Sequence, residues 1–416
     1  MSPILPTPPT TLQWEEDGHA RTARWRCERG AAPPRRVVLA DDTLPADTAY
    51  RLANEGTALL WRGDFQNARH LLDALARRIE RVPARRRRKT GTGATVASTP
   101  AAVAAEPAGQ AFHRYRMAQA QRARVLGSVL IPLEADYSVS LRRAPDLRQA
   151  CTEAWGGPAL DAGPSVAALR ELLGLVSAHE WRKKGVPIAA LGPAPGNRIH
   201  PHYGVFSPVR GEYVQLVAEA PLPTGLGLGA TAFDIGTGTG VLAAVLARRG
   251  LQVQATELDP RALACAADNL ARLGLQERVS LLQADLFPPG RAALVVCNPP
   301  WLTARAGSPL ERAVYDEDSR MLLGYLQGLA GHLAPGGEGW LILSDLAEHL
   351  GLRTRAQLLQ AIQAGGLQVL GRIDARPTHG KAFDASDPLH AARAAEVTSL
   401  WRLACADTAT PKEPVA

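Results

Sequence analysis

From residue 231 onward short apolar runs alternate with amphipathic segments, and this rhythm leaves few folds open. Residues 232–235 read as a strand, 240–249 as a helix stopped by Gly250, and 251–256 as a strand with Leu251, Val253 and Ala255 on one face. Pro260 opens a helix at its first position and Gly274 ends it. Residues 279–284, 293–297 and 339–344 read as further strands, with helices around 308–333 and 353–364. Repeated strand–helix–strand units predict a parallel sheet covered on both faces. The last two apolar runs, 367–373 and 397–404, have no helix of comparable quality between them.

The chemistry-bearing residues sit where these strands end. The first strand runs into Asp234-Ile235-Gly236-Thr237-Gly238-Thr239-Gly240. Glycines at this place let the backbone turn tightly and let a ligand approach the following helix N-terminus. The dinucleotide fingerprint needs glycine at 241, where Val241 stands. Glu257 closes the second strand, and Asp285, Leu286 and Phe287 follow the third. Asp259 competes with Glu257 for a ligand role but precedes Pro260, which suits a helix cap. Taken singly, each acid also fits a cap or loop charge. Together they occupy the carboxyl ends of three successive strands, the edge at which open α/β sheets bind ligands. Asn298-Pro299-Pro300-Trp301 follows the fourth strand. Its alternative reading is a Pro-Pro turn with a core aromatic.

The alternating glycines behind Asp234 resemble motif I of class I S-adenosylmethionine-dependent methyltransferases, and Asn298 to Trp301 resembles the [Asn/Asp/Ser]-Pro-Pro-[Tyr/Phe/Trp] motif of members that methylate a nitrogen on a planar carbon. The resemblance covers residues 200–405 and implies S-adenosylmethionine as cofactor. It implies cofactor contacts from Asp234, Gly236, Thr237, Gly238, Gly240, Glu257, Asp285 and Leu286, with Glu257 on the ribose hydroxyls and 285–287 at the adenine. Such a nitrogen has a delocalised lone pair and is a poor nucleophile until it pyramidalises. The Asn298 oxygen and the Pro299 carbonyl, held by the stiff Pro299-Pro300 backbone, would take its two hydrogens, and Trp301 would stack on the planar group. Residues 204–207 look like the entry segment of ribosomal-RNA guanine-N2 methyltransferases, and 208–213 are closer to HemK-type protein glutamine methyltransferases. Phe206, Arg210 and Glu212 are therefore candidate lid residues, and Lys381 in the connection between the last two strands a candidate substrate contact. Trp301 stands where the glutamine enzymes usually have Tyr and the guanine-N2 enzymes Phe.

The first half is different. Residues 1–200 carry 29 basic and 19 acidic side chains, residues 201–416 carry 18 and 21. This imbalance suggests an anionic partner, and it equally suits solubility or an Arg-rich composition. Residues 47–61 and 64–79 read as helices around Gly63, with no second copy of the pair. Residues 83–109 begin with Arg85, Arg86, Arg87, Arg88 and Lys89 and read as a linker with too few large apolar groups to order. Residues 125–133 and 137–141 read as strands and 165–181 as a helix. Five scattered cysteines without a CxxC pair support neither a disulfide framework nor zinc, and His200-x-His202 alone is weak as a metal pair.

The expected architecture is α/β: a Rossmann-like seven-stranded class I methyltransferase domain over 201–405, preceded by a smaller, partly helical α+β region. The latter divides into a helical part (1–82), a disordered linker (83–110) and a substrate-recognition part (111–200); 406–416 form a tail. The expected function is N-methylation of a base amino group in nucleic acid, ribosomal RNA foremost. A glutamine amide of a translation protein is the alternative, and a non-catalytic RNA-binding protein that kept the fold is a third reading. With no apolar leader or span in the sequence, the chain reads as a cytoplasmic protein with no membrane or metal partner.

Overall fold

The computed structural model describes residues 11–89, 108–308, 310–377 and 384–406. The chain divides into two compact units, one of Met1–Glu106 with His113–Glu180, the other of Pro107–Phe112 with Trp181–Ala416.

The first unit is built on one mixed six-stranded sheet. Its elements, with α3 counted from His113 and α5 as far as Glu180, are β1 (Thr11–Glu16), β2 (His19–Arg26), β3 (Arg36–Ala40), α1 (Ala46–Asn54), β4 (Thr57–Trp61), α2 (Phe65–Lys89), α3 (Ala108–Leu126), β5 (Val129–Leu133), α4 (Arg148–Trp155), β6 (Ser165–Ala168) and α5 (Leu169–Lys184). The strand order is β1-β2-β6-β5-β4-β3. β1 and β2 form a hairpin over Asp17 and Gly18, both at positive φ (53° and 72°), the Asp-Gly signal of a tight turn.

Several sequence expectations change here. The 47–61 helix stops at Asn54: Gly56 takes φ +84°, and Thr57–Trp61 is a fully buried strand between two parallel neighbours. Only residues 129–133 of the 125–133 run are strand, because α3 continues to Leu126. Residues 137–141 form no strand; Tyr137 sits at φ +69° in a turn closed by Glu134 N–H donating to Ser138 O. The 165–181 helix begins as β6, which pairs with β2 on one side and β5 on the other. Residues 1–82 and 111–200 are therefore not separate regions, since both contribute to one sheet. The helix α2 also runs through Lys89, so the supposed linker is helical at its start, while residues 90–107 lie outside the described residues.

The second unit holds β7 (Val186–Pro187), β8 (Arg198–Ile199), α6 (Glu212–Glu219), β9 (Thr231–Ile235), α7 (Val241–Arg248), β10 (Gln252–Glu257), α8 (Pro260–Arg272), β11 (Val279–Gln283), β12 (Ala292–Cys297), α9 (Arg320–His332), β13 (Leu333–Ser344), α10 (Leu346–His349), α11 (Arg355–Ala364), β14 (Leu367–Ala375), α12 (His390–Ala395) and β15 (Thr398–Cys405). Its seven-stranded sheet has the order β11-β10-β9-β12-β13-β15-β14. All neighbours are parallel except β15, which runs antiparallel to β13 and β14. Apolar side chains of α6 and α7 cover one face and those of α9 and α11 the other, as expected for a sheet whose strands are buried on both sides. The helix expected around 308–333 starts only at Arg320; before it the chain makes two short 3₁₀ turns, Leu310–Ala313 and Glu317–Ser319. Asp259 caps α8, accepting the Arg261 N–H at 2.9 Å.

No helix among the described residues is long and apolar enough to cross a membrane.

Candidate active site

Because β9 to β12 are parallel neighbours, their carboxyl ends open side by side, and a cleft of about 740 Å³ lies there. That volume is in the range of a nucleoside-sized ligand site. On one wall the loop after β9 carries Gly236, Gly238 and Gly240 at φ +71°, +56° and +80°, a left-handed succession that side chains rarely tolerate. Gly236 and Gly238 line the cleft with Thr237, and a Cβ on Gly238 would meet only open space. Gly240 does not line it, contrary to the expectation. It starts α7, and a Cβ there would come within 3.3 Å of Ala266, so this glycine serves close packing of α7 on α8.

Asp234 is almost wholly buried at the base of the loop and accepts the Thr237 hydroxyl at 2.6 Å. Burial pushes its carboxyl up to about 6, against the opposing effect of the Thr237 hydroxyl and the Ala243 N–H. Glu257, at the end of β10, accepts the Gly238 N–H at 3.0 Å on one oxygen and the Leu258 and Asp259 N–H groups at 2.8 and 3.0 Å on the other. A carboxylate offers about four acceptor positions. Three are taken by backbone, which leaves one on Oε2 for a ligand hydroxyl rather than the two expected for a ribose diol. Asp285 and Leu286 border the cleft beyond Glu257. Asp285 is held in an ion pair with Arg320. Phe287 turns away and stacks on His332 at 4.2 Å between ring centroids, so it offers the cleft no adenine-stacking face.

The other wall is Asn298-Pro299-Pro300-Trp301, directly after β12. The Trp301 indole N–H donates to Asn298 Oδ1 at 2.9 Å. Beyond it the chain returns from Val314 to Asp316 beside Leu302, which brings Tyr315 and Asp316 to the cleft. Asp316 accepts the Met321 and Leu322 N–H groups and so caps α9; burial raises its carboxyl. Phe206 and Arg210 line the cleft as expected of lid residues. Arg210 lies 3.8 Å from the buried Glu396. Glu212 does not line the cleft; it begins α6, where a carboxylate complements the helix dipole. Its neighbour Tyr213 does, buried beside Asp234, and burial raises its hydroxyl above the ordinary range. Lys381 lies outside the described residues.

Sequence reasoning missed Tyr213, Asp316, Arg320, Met321 and Arg393 as cleft residues. Only Tyr213 carried a local signal, its place directly after the segment 204–212. His200 Nδ1 meets Arg182 O at 2.6 Å and His202 Nε2 meets Asp268 at 3.2 Å, which accounts for both imidazoles within loop packing. Among the described residues no group of three His, Cys, Asp or Glu is placed to hold a metal ion.

The residues present fit S-adenosylmethionine. A glycine cradle, acids at three strand ends and one free acceptor position on Glu257 suit a cationic ligand carrying an amine, hydroxyls and a base.

Residues 197–353 match the family model described as methyltransferase small domain. The chain is 33% identical over 162 residues to the release factor glutamine methyltransferase of Cereibacter sphaeroides, covering 35% of this chain and 57% of that one. It is 35% identical over 142 residues to ribosomal RNA small subunit methyltransferase C of Alcanivorax borkumensis, covering 33% and 40%. It is 31% identical over 159 residues to the tRNA1(Val) (adenine(37)-N6)-methyltransferase of Tolumonas auensis, covering 36% and 63%. The chain thus spans about half the length of these curated relatives.

Proposed function

We propose that this protein is an S-adenosylmethionine-dependent N-methyltransferase acting on a planar amino nitrogen, a base amino group in RNA. The observation that carries the reading is the meeting of two walls in one cleft: the glycine loop with Asp234 and Glu257 on one side, Asn298 to Trp301 on the other.

Asp234, Gly236, Thr237, Gly238, Glu257, Asp285 and Leu286 would hold the cofactor, which when bound supplies an electrophilic methyl group. Asn298 Oδ1 and the Pro299 carbonyl would each accept one hydrogen of the substrate nitrogen. Two acceptors placed off the plane of the group favour a pyramidal nitrogen and aim its lone pair across the cleft. They also stabilise the positive charge that develops there, in a site where fixed dipoles act more strongly than water does. Trp301 stacks on the planar group and limits its rotation, so that nitrogen and methyl meet in line. Phe206 and Arg210 close over the substrate.

The substrate class rests on the basic first half of the chain and on relatives named for RNA substrates. A glutamine amide presents the same two hydrogens on a planar carbon, and a relative is named for that substrate. Transfer of labelled methyl from S-adenosylmethionine to separated RNA, DNA and protein fractions of a cell extract chooses between them. Asn298→Ala should suppress transfer while cofactor affinity stays within about twofold, since one catalytic acceptor is removed and no cofactor contact. Retained activity in that variant rejects the assignment of the acceptor.

A further inference from the structure

We propose that Trp301 is a positioning residue for Asn298: its indole N–H dictates which way the Asn298 amide faces, and with it whether the cleft offers a substrate nitrogen an acceptor or a donor. This rests on the reading of the cleft as a methyl-transfer site.

An asparagine amide has nearly the same shape on its oxygen and nitrogen sides, so packing alone barely distinguishes the two orientations. Chemically they are opposites. With oxygen toward the substrate, Asn298 accepts an N–H; reversed, it points its own N–H groups at the amino hydrogens and repels them. The bond from Trp301 Nε1 to Asn298 Oδ1 at 2.9 Å removes the choice. The indole N–H is a donor only. Turning the amide over would set an NH2 against an N–H with no acceptor between them.

The donor is itself held. Trp301 is half-buried and packs against the apolar clusters on both faces of the sheet, and it follows two prolines that stiffen the backbone. Oδ1 has two lone pairs. The indole uses one, and the other remains for a single substrate hydrogen, with the second hydrogen left to the Pro299 carbonyl. Other aromatic residues do not substitute for this. A phenyl ring stacks on a planar group but donates nothing, and a phenol carries its donor at the far end of the ring. The heteroatom of indole lies near the ring's attachment, within reach of a side chain three residues back.

The test is a cycle of Trp301→Phe and Asn298→Asp, read by tritiated methyl transfer to whichever fraction of total cell RNA or protein the wild type labels. Trp301→Phe should lower kcat roughly fivefold to tenfold, the scale of one hydrogen bond, with S-adenosylmethionine affinity by calorimetry unchanged. In the Asn298→Asp background the same replacement should change kcat less than twofold, because a carboxylate has an oxygen on either arm and cannot be misoriented. An equal loss in both backgrounds, or no loss in either, overturns the proposal and leaves Trp301 a stacking residue. A second readout needs neither turnover nor a folded Phe variant. In the ¹⁵N-labelled wild type the Trp301 indole resonance should be shifted and slow to exchange with solvent, and Asn298→Ala should abolish both properties. An indole resonance that Asn298→Ala leaves in place overturns the proposal as well. If the wild type labels no fraction, the reading of the cleft fails, and the indole resonance alone decides the relation between Trp301 and Asn298.

Discussion

The Thr237 hydroxyl donates to Asp234 Oδ2 at 2.6 Å, and this bond ties the turn of the glycine loop to the end of the strand that precedes it. It makes a buried carboxylate part of the loop's geometry. Burial makes the ionisation of this carboxylate costly, and the Thr237 hydroxyl offsets part of that cost.

Asp234 keeps its proton up to about pH 6 in the fold, against an ordinary value of 3.8. Below pH 4 it is protonated folded and unfolded alike and adds no pH dependence. Between pH 4 and 6 the unfolded chain releases this proton and the folded chain does not, so stability falls as pH rises, by about 3 kcal/mol in all. Asp234→Asn should flatten that slope when denaturant unfolding is compared at pH 4.5 and 7. A cationic cofactor favours the ionised form, so its affinity should rise between pH 5 and 7 and not in Asp234→Asn; calorimetry showing the same pH profile in both would refute the assignment.

Replacing Glu257 removes the acceptor of three backbone N–H groups as well as a ligand position. Glu257→Ala should weaken S-adenosylmethionine binding by about 1.5 to 3 kcal/mol, the scale of a hydrogen bond to a charged group. Asp234→Ala should cost a similar amount. Affinity that stays at the wild-type level in both would mean the cofactor lies elsewhere.

Two glycines of one loop should separate stability from binding. Gly240→Ala meets Ala266 at 3.3 Å and forces a side chain to φ +80°, so it should destabilise the protein by roughly 1 to 3 kcal/mol and leave affinity near normal. Gly238→Ala meets no protein atom within 4 Å but adds a methyl group at the cleft. It should lose most cofactor affinity for a smaller loss of stability. Thermal unfolding and calorimetry on the pair check this, and identical behaviour of the two variants would contradict it.

If RNA is the partner, its binding should fall steeply between 50 and 200 mM salt, because phosphate contacts release counterions. Deleting residues 85–89 should weaken and flatten that dependence without changing cofactor affinity. Fluorescence anisotropy of a labelled RNA measures both. Salt-independent binding would make the charge of the first half compositional and put the protein amide ahead.

Arg320 and Asp285 show what sequence spacing does not reveal. The family resemblance implies an adenine contact for Asp285, but its ion-pair partner arrives 35 residues later from the start of α9. The motif spacing said nothing of that approach, nor of Arg210 lying 3.8 Å from Glu396.

What the sequence determined by itself is the second unit: its strand alternation, the glycine loop, the acids at strand ends and the Asn-Pro-Pro-Trp turn. These were readable because each is local, a strand and the few residues after it, and parallel strands bring such ends together without further information. Tertiary structure alone decided the rest. β2 pairs with β6 across more than a hundred residues, so the first half's single sheet had no signature in any short window. β4 could pass for a helix until its two neighbours buried all five residues. The family resemblance implies ligand roles for Gly240 and Phe287, whereas packing against Ala266 and His332 turns them to other purposes. The orientation of Asn298 also belongs to the folded state, because only there does a donor stand beside its oxygen.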